Sequence, residues 1–378
     1  MLLRPHAARR AARFFIEKFP GQTLYAVKAN PSPELMAELW AAGVTHYDVA
    51  SIAEVRAVAA QLPEAKLCFM HPVKKVAAIR EAYFEHGCKT FSLDTQEELD
   101  KIVRATDGAA DLELLVRLRV SSEHAKLSLA AKFGAAPDEV ADLLMATRQA
   151  ADALGICFHV GSQAMSPSAY SDAMARVRAA IVAASVTVDI IDVGGGFPSV
   201  YPGMEPPALD RYFDVIHRTF EDLPISYSAE LWCEPGRALS AEYGSMIVRV
   251  EKRRGDELYI NDGAYGALFD AAHIGWRFPV RLLRPDADAD PVFAPFSFYG
   301  PTCDDMDHMA GPFLLPVDVA AGDWIEIGML GAYGAALRTA FNGFGEVASH
   351  IVTDEPMDSL YLVDEAPAHR RNVVSITR

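Results

Sequence analysis

Several features that would narrow a function quickly are missing from this chain of 378 residues. Its five cysteines, at positions 68, 88, 157, 233 and 303, form no CxxC pair and no short-spaced Cys/His set. That excludes the usual structural zinc site and any disulfide framework, and it fits a reducing compartment. No metal is expected. No run of eighteen consecutive apolar residues occurs, and the opening from Met1 to Arg10 has no apolar stretch that could act as a signal, so a soluble, cytoplasmic protein is expected. Positive charge is scarce: 35 Lys and Arg stand against 51 Asp and Glu, a net charge of -16. Such a surface repels phosphate backbones and anionic membranes and draws in small cations, so neither nucleic acid nor membrane is an expected partner. Repeats, heptads and low-complexity tracts are also lacking, and the Ala-rich region 125–155 reads simply as helical propensity.

What is present is a core of ample size, with 51% hydrophobic residues in a length that suits two domains. Short apolar runs at 23–28, 46–50, 67–70, 90–93, 113–120, 156–160, 189–193 and 231–234 alternate with stretches of helical periodicity. Over 31–43, Ser32 is the expected cap and Pro33 the first helical residue; over 95–106, Thr95 and Glu98 make a capping-box pattern. Eight strand-then-helix units outline a (β/α)8 barrel, whose active site forms at the C-terminal strand ends. Ionisable and flexible residues gather at those ends: Lys28, Asp48, His71, Asp94, Arg117, His159, Gly194 to Gly196 and Glu234. After residue 240 the pattern turns to β, with expected strands at 245–253, 257–261, 276–283, 296–299, 313–319 and 323–329 and a solvated loop from Arg284 to Pro291. The expected domains are therefore 10–240, a barrel, and 241–378, a β-sandwich or barrel on which residues 1–9 pack.

Lys28, in Tyr25-Ala26-Val27-Lys28-Ala29-Asn30, stands out because an ammonium at the end of an apolar strand is costly to desolvate unless chemistry needs it. A desolvated amine loses its proton readily and can condense with an aldehyde. Gly194-Gly195-Gly196 follows the seventh strand, where backbone amides can approach a phosphate; a plain tight turn is the alternative. The run is neither GxGxxG nor a Walker motif, which speaks against a dinucleotide or nucleotide site. Glu234-Pro235-Gly236-Arg237 closes the eighth strand with a carboxylate able to hold a protonated ring nitrogen, or else with a structural Glu/Arg pair. His159 can stack on a flat cofactor and Ser162 can donate to phosphate. Cys303, followed at once by Asp304 and Asp305, is a thiol whose acidic neighbours favour its protonated form, and such a thiol can donate a proton. Tyr333 can give its hydroxyl to phosphate, and Phe341 can line an apolar channel.

Taken in order, YAVKAN, HVGSQ, DVGGGFP, EPGRAL, YGPTCDDMD, GAYG and FNGF resemble the fold type III pyridoxal-phosphate decarboxylases of basic amino acids, and within them the ornithine decarboxylases most nearly. The resemblance runs from about residue 15 to residue 350. It implies that Lys28 carries pyridoxal 5'-phosphate covalently, that Glu234 pairs with the pyridine nitrogen and that His159 stacks on the ring. It places Gly194, Gly195, Gly196, Ser162, Gly236, Arg237 and Tyr333 at the phosphate, Asp48 and Glu54 beneath the lysine, and Arg117 beside the cofactor. Cys303 matches the cysteine that reprotonates the product carbon and Asp304 the aspartate that receives the distal ammonium, both donated by a neighbouring subunit in a homodimer. Tyr299 and Phe341 fall on the substrate channel. Lys132 matches a loop lysine that bridges the dimer to Asp307. A specificity aspartate is expected near residue 270; Asp270 is the candidate, with His273 the alternative if no gap intervenes. Only 27 residues precede Lys28, which implies a β domain short of one strand or rearranged at its edge. The implied activity is decarboxylation of L-ornithine, and of L-lysine, to putrescine and cadaverine in polyamine synthesis. The rivals are diaminopimelate or carboxylated-polyamine decarboxylation on the same fold, a racemase of similar barrel, and a catalytically silent regulator of the antizyme-inhibitor kind.

Overall fold

A computed structural model describes residues 1–120, 123–129, 131–285, 288–361 and the backbone of 373–374. Of the solvated loop expected over 284–291, Asp286 and Ala287 lie outside the described residues. The chain divides into two compact units. One holds Ala12–Pro198 and Pro206–Ala238; the other holds Met1–Ala11, Ser199–Glu205 and the residues from Leu239 on.

The first unit is a closed barrel of eight strands: β1 (Gln22–Ala26), β2 (His46–Val49), β3 (Lys66–Phe69), β4 (Thr90–Leu93), β5 (Glu113–Arg117), β6 (Ala153–Cys157), β7 (Ile190–Asp192) and β8 (Glu230–Cys233). Neighbours pair in parallel all the way round, with Trp232 opposite Gln22 where β8 meets β1. Parallel strands covered on both faces must be apolar through and through, which is why these runs show no alternation in the sequence. Inside the barrel Leu24, Cys68, Met70, Leu115, Cys157, Ile190 and Trp232 form a buried cluster. Each large side chain there contributes about 1.5–3 kcal/mol by leaving water. Gly155 makes room for it, since a Cβ on that residue would lie 2.4 Å from Leu115 Cγ.

Helices cover the barrel. The helix Gln96–Ala105 starts as its capping-box pattern implies, Thr95 Oγ1 accepting the Glu98 N–H at 3.2 Å. Helix Pro33–Ala41 starts where the pattern puts it, with Ser32 at the cap position, but the Ser32 Oγ is buried without a hydrogen-bond partner and caps nothing, while Asn30 Oδ1 accepts the Ser32 N–H at 3.0 Å. Three further differences are local. Val27–Ala29 is a 3-10 turn, so Lys28 follows β1 rather than ending it. Strand β6 begins three residues before the expected 156, because Ala153 pairs with Glu113 of β5. In the Ala-rich region only Val140–Ala150 is helical among the described residues, whereas Ala125–Leu127 pairs antiparallel with Ser162–Ala164.

The second unit is built on a mixed sheet of β9 (Gly244–Arg254), β10 (Glu257–Ile260), β11 (Val280–Leu283), β12 (Phe293–Tyr299), β13 (His308–Pro316) and β14 (Trp324–Ile327), in the order β13-β12-β10-β9-β14-β11. Leu2–Leu3 adds to β9 in antiparallel register. Tyr201 reaches this unit through its ring, 5.4 Å from Trp276 and from Phe278. No helix of the described residues is long and apolar enough to cross a membrane.

One buried acid gives this unit a pH dependence. Glu242 accepts from Ser359 Oγ at 2.8 Å and from the Leu360 N–H at 3.2 Å, with Arg10 at 3.5 Å, and burial pushes its carboxyl up to about 7. A group that binds its proton more tightly when folded lends stability that is full below its ordinary value of 4.5 and is lost as the pH rises through about 7. Melting curves between about pH 5 and about pH 8 should therefore show the parent losing stability with rising pH relative to Glu242→Gln, in which this dependence is absent.

Candidate active site

The C-terminal ends of the barrel strands converge on a cavity of about 320 Å³ lined by Lys28, Asp48, His71, Arg117, Lys132, Phe133 and His159, among others. Lys28 Nζ lies 2.9 Å from Asp48 Oδ2, on a 3-10 turn that lifts its side chain out of the strand. Asp48, near the end of β2, is 2% exposed, so the pair is a desolvated carboxylate beneath a half-exposed ammonium. Glu54 sits in the first turn of the next helix: Ser51 caps it by accepting the Glu54 N–H at 3.2 Å, and Glu54 Oε2 reaches back past the cap to accept the Ala50 N–H at 2.6 Å. Burial and then the Asp48 charge raise the Glu54 carboxyl above its ordinary value, against the pull of the Ala50 amide and Lys28.

His159 ends the apolar run after β6. Its Nδ1 accepts the Gly161 N–H at 3.0 Å, and burial, with Lys28 and Arg117 nearby, holds its proton affinity well below the usual histidine range. The ring is neutral and turned by the backbone, a flat apolar face beside the lysine. Arg117, at the end of β5, lies over the Phe133 ring at 5.6 Å, and His71 meets the same ring edge-on at 5.1 Å.

Below this wall lies a pair of acids. Glu234 is 8% exposed and Asp192, the last residue of β7, is fully buried. Burial pushes both carboxyls up; the neighbouring charges of Asp192 and Asp48 lift Glu234 further, while Lys28 draws it down. Carboxylates this close cannot all ionise unless a proton or a cation is shared among them.

The glycine run is divided. Gly194 donates its N–H to Asp192 Oδ1 at 2.8 Å, so its amide belongs to the turn and is not offered to an anion as the sequence suggests. The carbonyls of Gly195 and Gly196 are also engaged, by Tyr170 Oη at 3.0 Å and the Ala164 N–H at 2.9 Å. Among the described residues the amides of Gly195 and Gly196 have no acceptor. A Cβ at Gly195 would come 3.1 Å from His159 Nε2, so the turn and the imidazole have room for each other only without a side chain. Gly236 likewise lies against the end of β1 and the turn after it, where a Cβ would meet Ala26 at 3.2 Å and Ala29 at 3.0 Å. Ser162 opens the short strand Ser162–Ala164, and Arg237 begins the short helix Arg237–Ser240.

The remaining candidates belong to the second unit. Cys303 and Asp304 are found in an open cavity with Tyr299 and Asp307. Cys303 is exposed; Asp304 accepts a short hydrogen bond from the Tyr265 hydroxyl and one from the Met306 N–H at 3.0 Å, contacts that hold its carboxyl below the usual range. Tyr299 is stacked between Tyr259 at 5.2 Å and His308 at 4.5 Å. Phe341 is 42% exposed, its ring 4.7 Å from Tyr265. Asp270 is 9% exposed on the short helix Phe269–His273, where His273 packs on Phe269 at 4.3 Å. Tyr333 has a left-handed backbone, φ 61°. Asp307 differs from its expected place as a bridge to Lys132: it is 1% exposed, and its oxygens accept from the Ala264 N–H at 2.7 Å, the Thr302 N–H at 3.1 Å and Thr302 Oγ1 at 2.7 Å. It builds its own loop.

Two residues of the barrel went unnoticed in the sequence. Asp192 is one, although an acid inside Ile190-Ile191-Asp192-Val193 just before three glycines is a signal that could have found it. Lys74 is the other. Its Nζ donates to the carbonyls of His71 at 2.9 Å and Ser92 at 2.5 Å and pairs with Glu98 at 3.1 Å, pinning the loop that carries His71.

The chemistry of this donor set suits pyridoxal phosphate. A buried cluster of three acids, Asp48, Asp192 and Glu234, fits a cationic ring nitrogen; the free amides of Gly195 and Gly196 fit an anion; Lys28 fits an aldehyde. Comparison with known proteins agrees. The family model described as "Pyridoxal-dependent decarboxylase, pyridoxal binding domain" matches residues 6–241. A lysine/ornithine decarboxylase of Selenomonas ruminantium is 30% identical over 366 residues, 93% of this chain and 88% of that protein. Antizyme inhibitor 2 of Xenopus laevis is 30% identical over 375 residues, 89% of this chain and 77% of that protein. The crystal structure of the Paramecium bursaria Chlorella virus arginine decarboxylase bound to agmatine superposes with a TM-score of 0.82 at 28% identity, covering 93% of this chain and 96% of that one.

The glycine turn gives the site a stability test. Gly194 has φ +68° and a Cβ there would lie 2.0 Å from Phe158 O, so Gly194→Ala is expected to lose about 1–3 kcal/mol in urea unfolding.

Proposed function

The chain belongs to the pyridoxal-dependent decarboxylases of basic amino acids, a carboxy-lyase of the fold type III kind, and on that premise we propose L-ornithine as its substrate, with L-lysine second. The products are then putrescine or cadaverine and carbon dioxide, in a cytoplasmic route to polyamines. The observation that carries the reading is Lys28 Nζ held 2.9 Å from Asp48 in a cavity with the neutral His159, close to the buried Asp192 and Glu234. Bound pyridoxal phosphate supplies an aldehyde for the substrate amine and a cationic ring that takes up the electrons left when carbon dioxide departs.

The residues have distinct tasks. Lys28 would hold the cofactor through its amine, beside Asp48. Glu234, with Asp192 beside it, keeps the ring nitrogen protonated, because a cation there relieves the mutual repulsion of two buried carboxylates. His159 presents a face rather than a charge. Gly195, Gly196, Ser162, Gly236, Arg237 and Tyr333 take the phosphate. Asp304, kept ionised by Tyr265, receives the distal ammonium, with Tyr299, Phe341 and Asp270 setting chain length, and Cys303 Sγ returns a proton to the α-carbon. Cys303 is exposed and Asp304 half-buried on their own unit, which suits delivery to the cavity of a second copy in a homodimer.

A silent regulator is disfavoured because Lys28, Glu234 and Cys303 are all in place. Borohydride reduction of the cofactor-loaded protein followed by peptide mapping should fix the adduct on Lys28, and Lys28→Ala should yield none; an adduct elsewhere overturns the scheme. Carbon dioxide release from ornithine, lysine, arginine, diaminopimelate and carboxylated polyamines should then be fastest with ornithine. A preference for a substrate with a distal carboxylate would transfer the reading to the diaminopimelate or carboxylated-polyamine chemistry.

A further inference from the structure

A thiol on a solvent-facing loop has three staggered χ1 wells, and a proton donor that samples all of them is aimed correctly only part of the time. At Cys303 one contact selects among them. Asn342 Oδ1 accepts both the backbone N–H of Cys303 and its Sγ–H, each at 3.2 Å. The backbone donor fixes the amide the right way round, since an N–H can meet only the oxygen. We propose that Asn342 is the positioning residue for Cys303, holding the thiol in one direction. This rests on the reading of Cys303 as the group that returns the proton.

The backbone supports the assignment. Asn342 occupies the 3-10 turn Phe341–Gly343 with φ 54° and ψ 16°, a left-handed conformation that costs free energy for a residue with a Cβ and that asparagine tolerates better than most. Such a conformation persists where its surroundings over-determine it. Here they do. The Thr339 N–H donates to Tyr265 O at 2.9 Å, Thr339 Oγ1 accepts the Phe341 N–H at 3.3 Å, and the Gly343 N–H closes on Ala340 O at 3.0 Å. The Tyr265 ring packs 4.7 Å from Phe341, and its hydroxyl donates to Asp304, the residue next to Cys303. The contacts close a circuit: Tyr265 to Thr339, Thr339 to Phe341, Asn342 to Cys303, and Asp304 back to Tyr265. Asp307, buried at the end of the loop, fixes its base. Proton donor and cation-receiving acid are thus held as one piece, with Asn342 the only member of the circuit that touches sulfur.

The other four cysteines are buried, so labelling by iodoacetamide, read by mass spectrometry on the cofactor-loaded full chain, reports Cys303. Asn342→Gly keeps the left-handed backbone and removes the amide; it is expected to label several-fold faster than the parent and to release more carbon dioxide than amine, with KM little changed. Asn342→Asp keeps an acceptor oxygen and is expected to label no faster than the parent. Asn342→Ala should repeat the glycine result at a lower melting temperature. Parental labelling and a parental amine-to-carbon-dioxide ratio in both deletion variants would overturn the assignment, as would an aspartate variant that labels like glycine. Cys303→Ala separates the two claims: equal amine and carbon dioxide from that variant defeats the proton-donor reading, while the labelling rates still judge Asn342.

Discussion

Three carboxylates, Asp48, Asp192 and Glu234, are held inside a barrel whose core is otherwise apolar, and desolvated anions side by side are stable only if a proton or a cation is shared among them. Lys28 answers part of that demand, at 2.9 Å from Asp48. Asp192 and Glu234 answer the rest with raised proton affinity, burial pushing Asp192 up to about 6 and Glu234 well above the usual carboxylate range. The same constraint explains the glycine turn. Asp192 Oδ1 accepts the Gly194 amide, and the Glu234 amide donates to Gly194 O at 2.9 Å, so the acids and the glycine turn are one hydrogen-bonded structure. Whatever moves an acid moves the turn.

Much of the barrel was legible because a parallel strand covered on both faces has to read as an unbroken apolar run. The runs ending near Lys28, Asp48 and Glu234 are strands within one or two residues of where the pattern puts them, whereas the strand from Glu113 stops at Arg117, three residues before the expected 120. Where the pattern erred, hydrophobicity was the wrong guide. Residues 156–160 are more apolar than Ala153-Leu154-Gly155, yet the strand starts at Ala153, because Gly155 is needed small against Leu115 and because register with β5 begins there. Ser32 holds the cap position its residue type suggests, yet its hydroxyl makes no cap hydrogen bond, and the side-chain contact there is Asn30 Oδ1 accepting the Ser32 N–H.

The site residues divide along the same line. Lys28, His159 and Cys303 could be picked out because their chemistry is unusual where they stand. Lys74, Asp192 and Asn342 could not, because what makes them matter is a partner far along the chain: Lys74 reaches Ser92 and Glu98, Asp192 faces Glu234, and Asn342 reaches Cys303. Sequence pattern reports faces and periods, and a buried polar contact has neither. Asp307 shows the converse error. Its position in the motif suggested an outward-facing ion-pair partner, whereas its burial and its three internal donors make it the post of its own loop.

The acids of that loop also show how a protein keeps a charge available. Had Asp304 been paired with a lysine or an arginine, its charge would be cancelled before a substrate ammonium arrived. Tyr265 and the Met306 amide donate hydrogen bonds instead, which lower the proton affinity of the carboxylate without adding a positive charge. Asp304 therefore stays ionised without becoming half of an ion pair. Two residues of the same type, three positions apart, are thus given opposite work by their partners: Asp307 holds the loop closed with its oxygens filled, and the half-buried Asp304 keeps its charge intact.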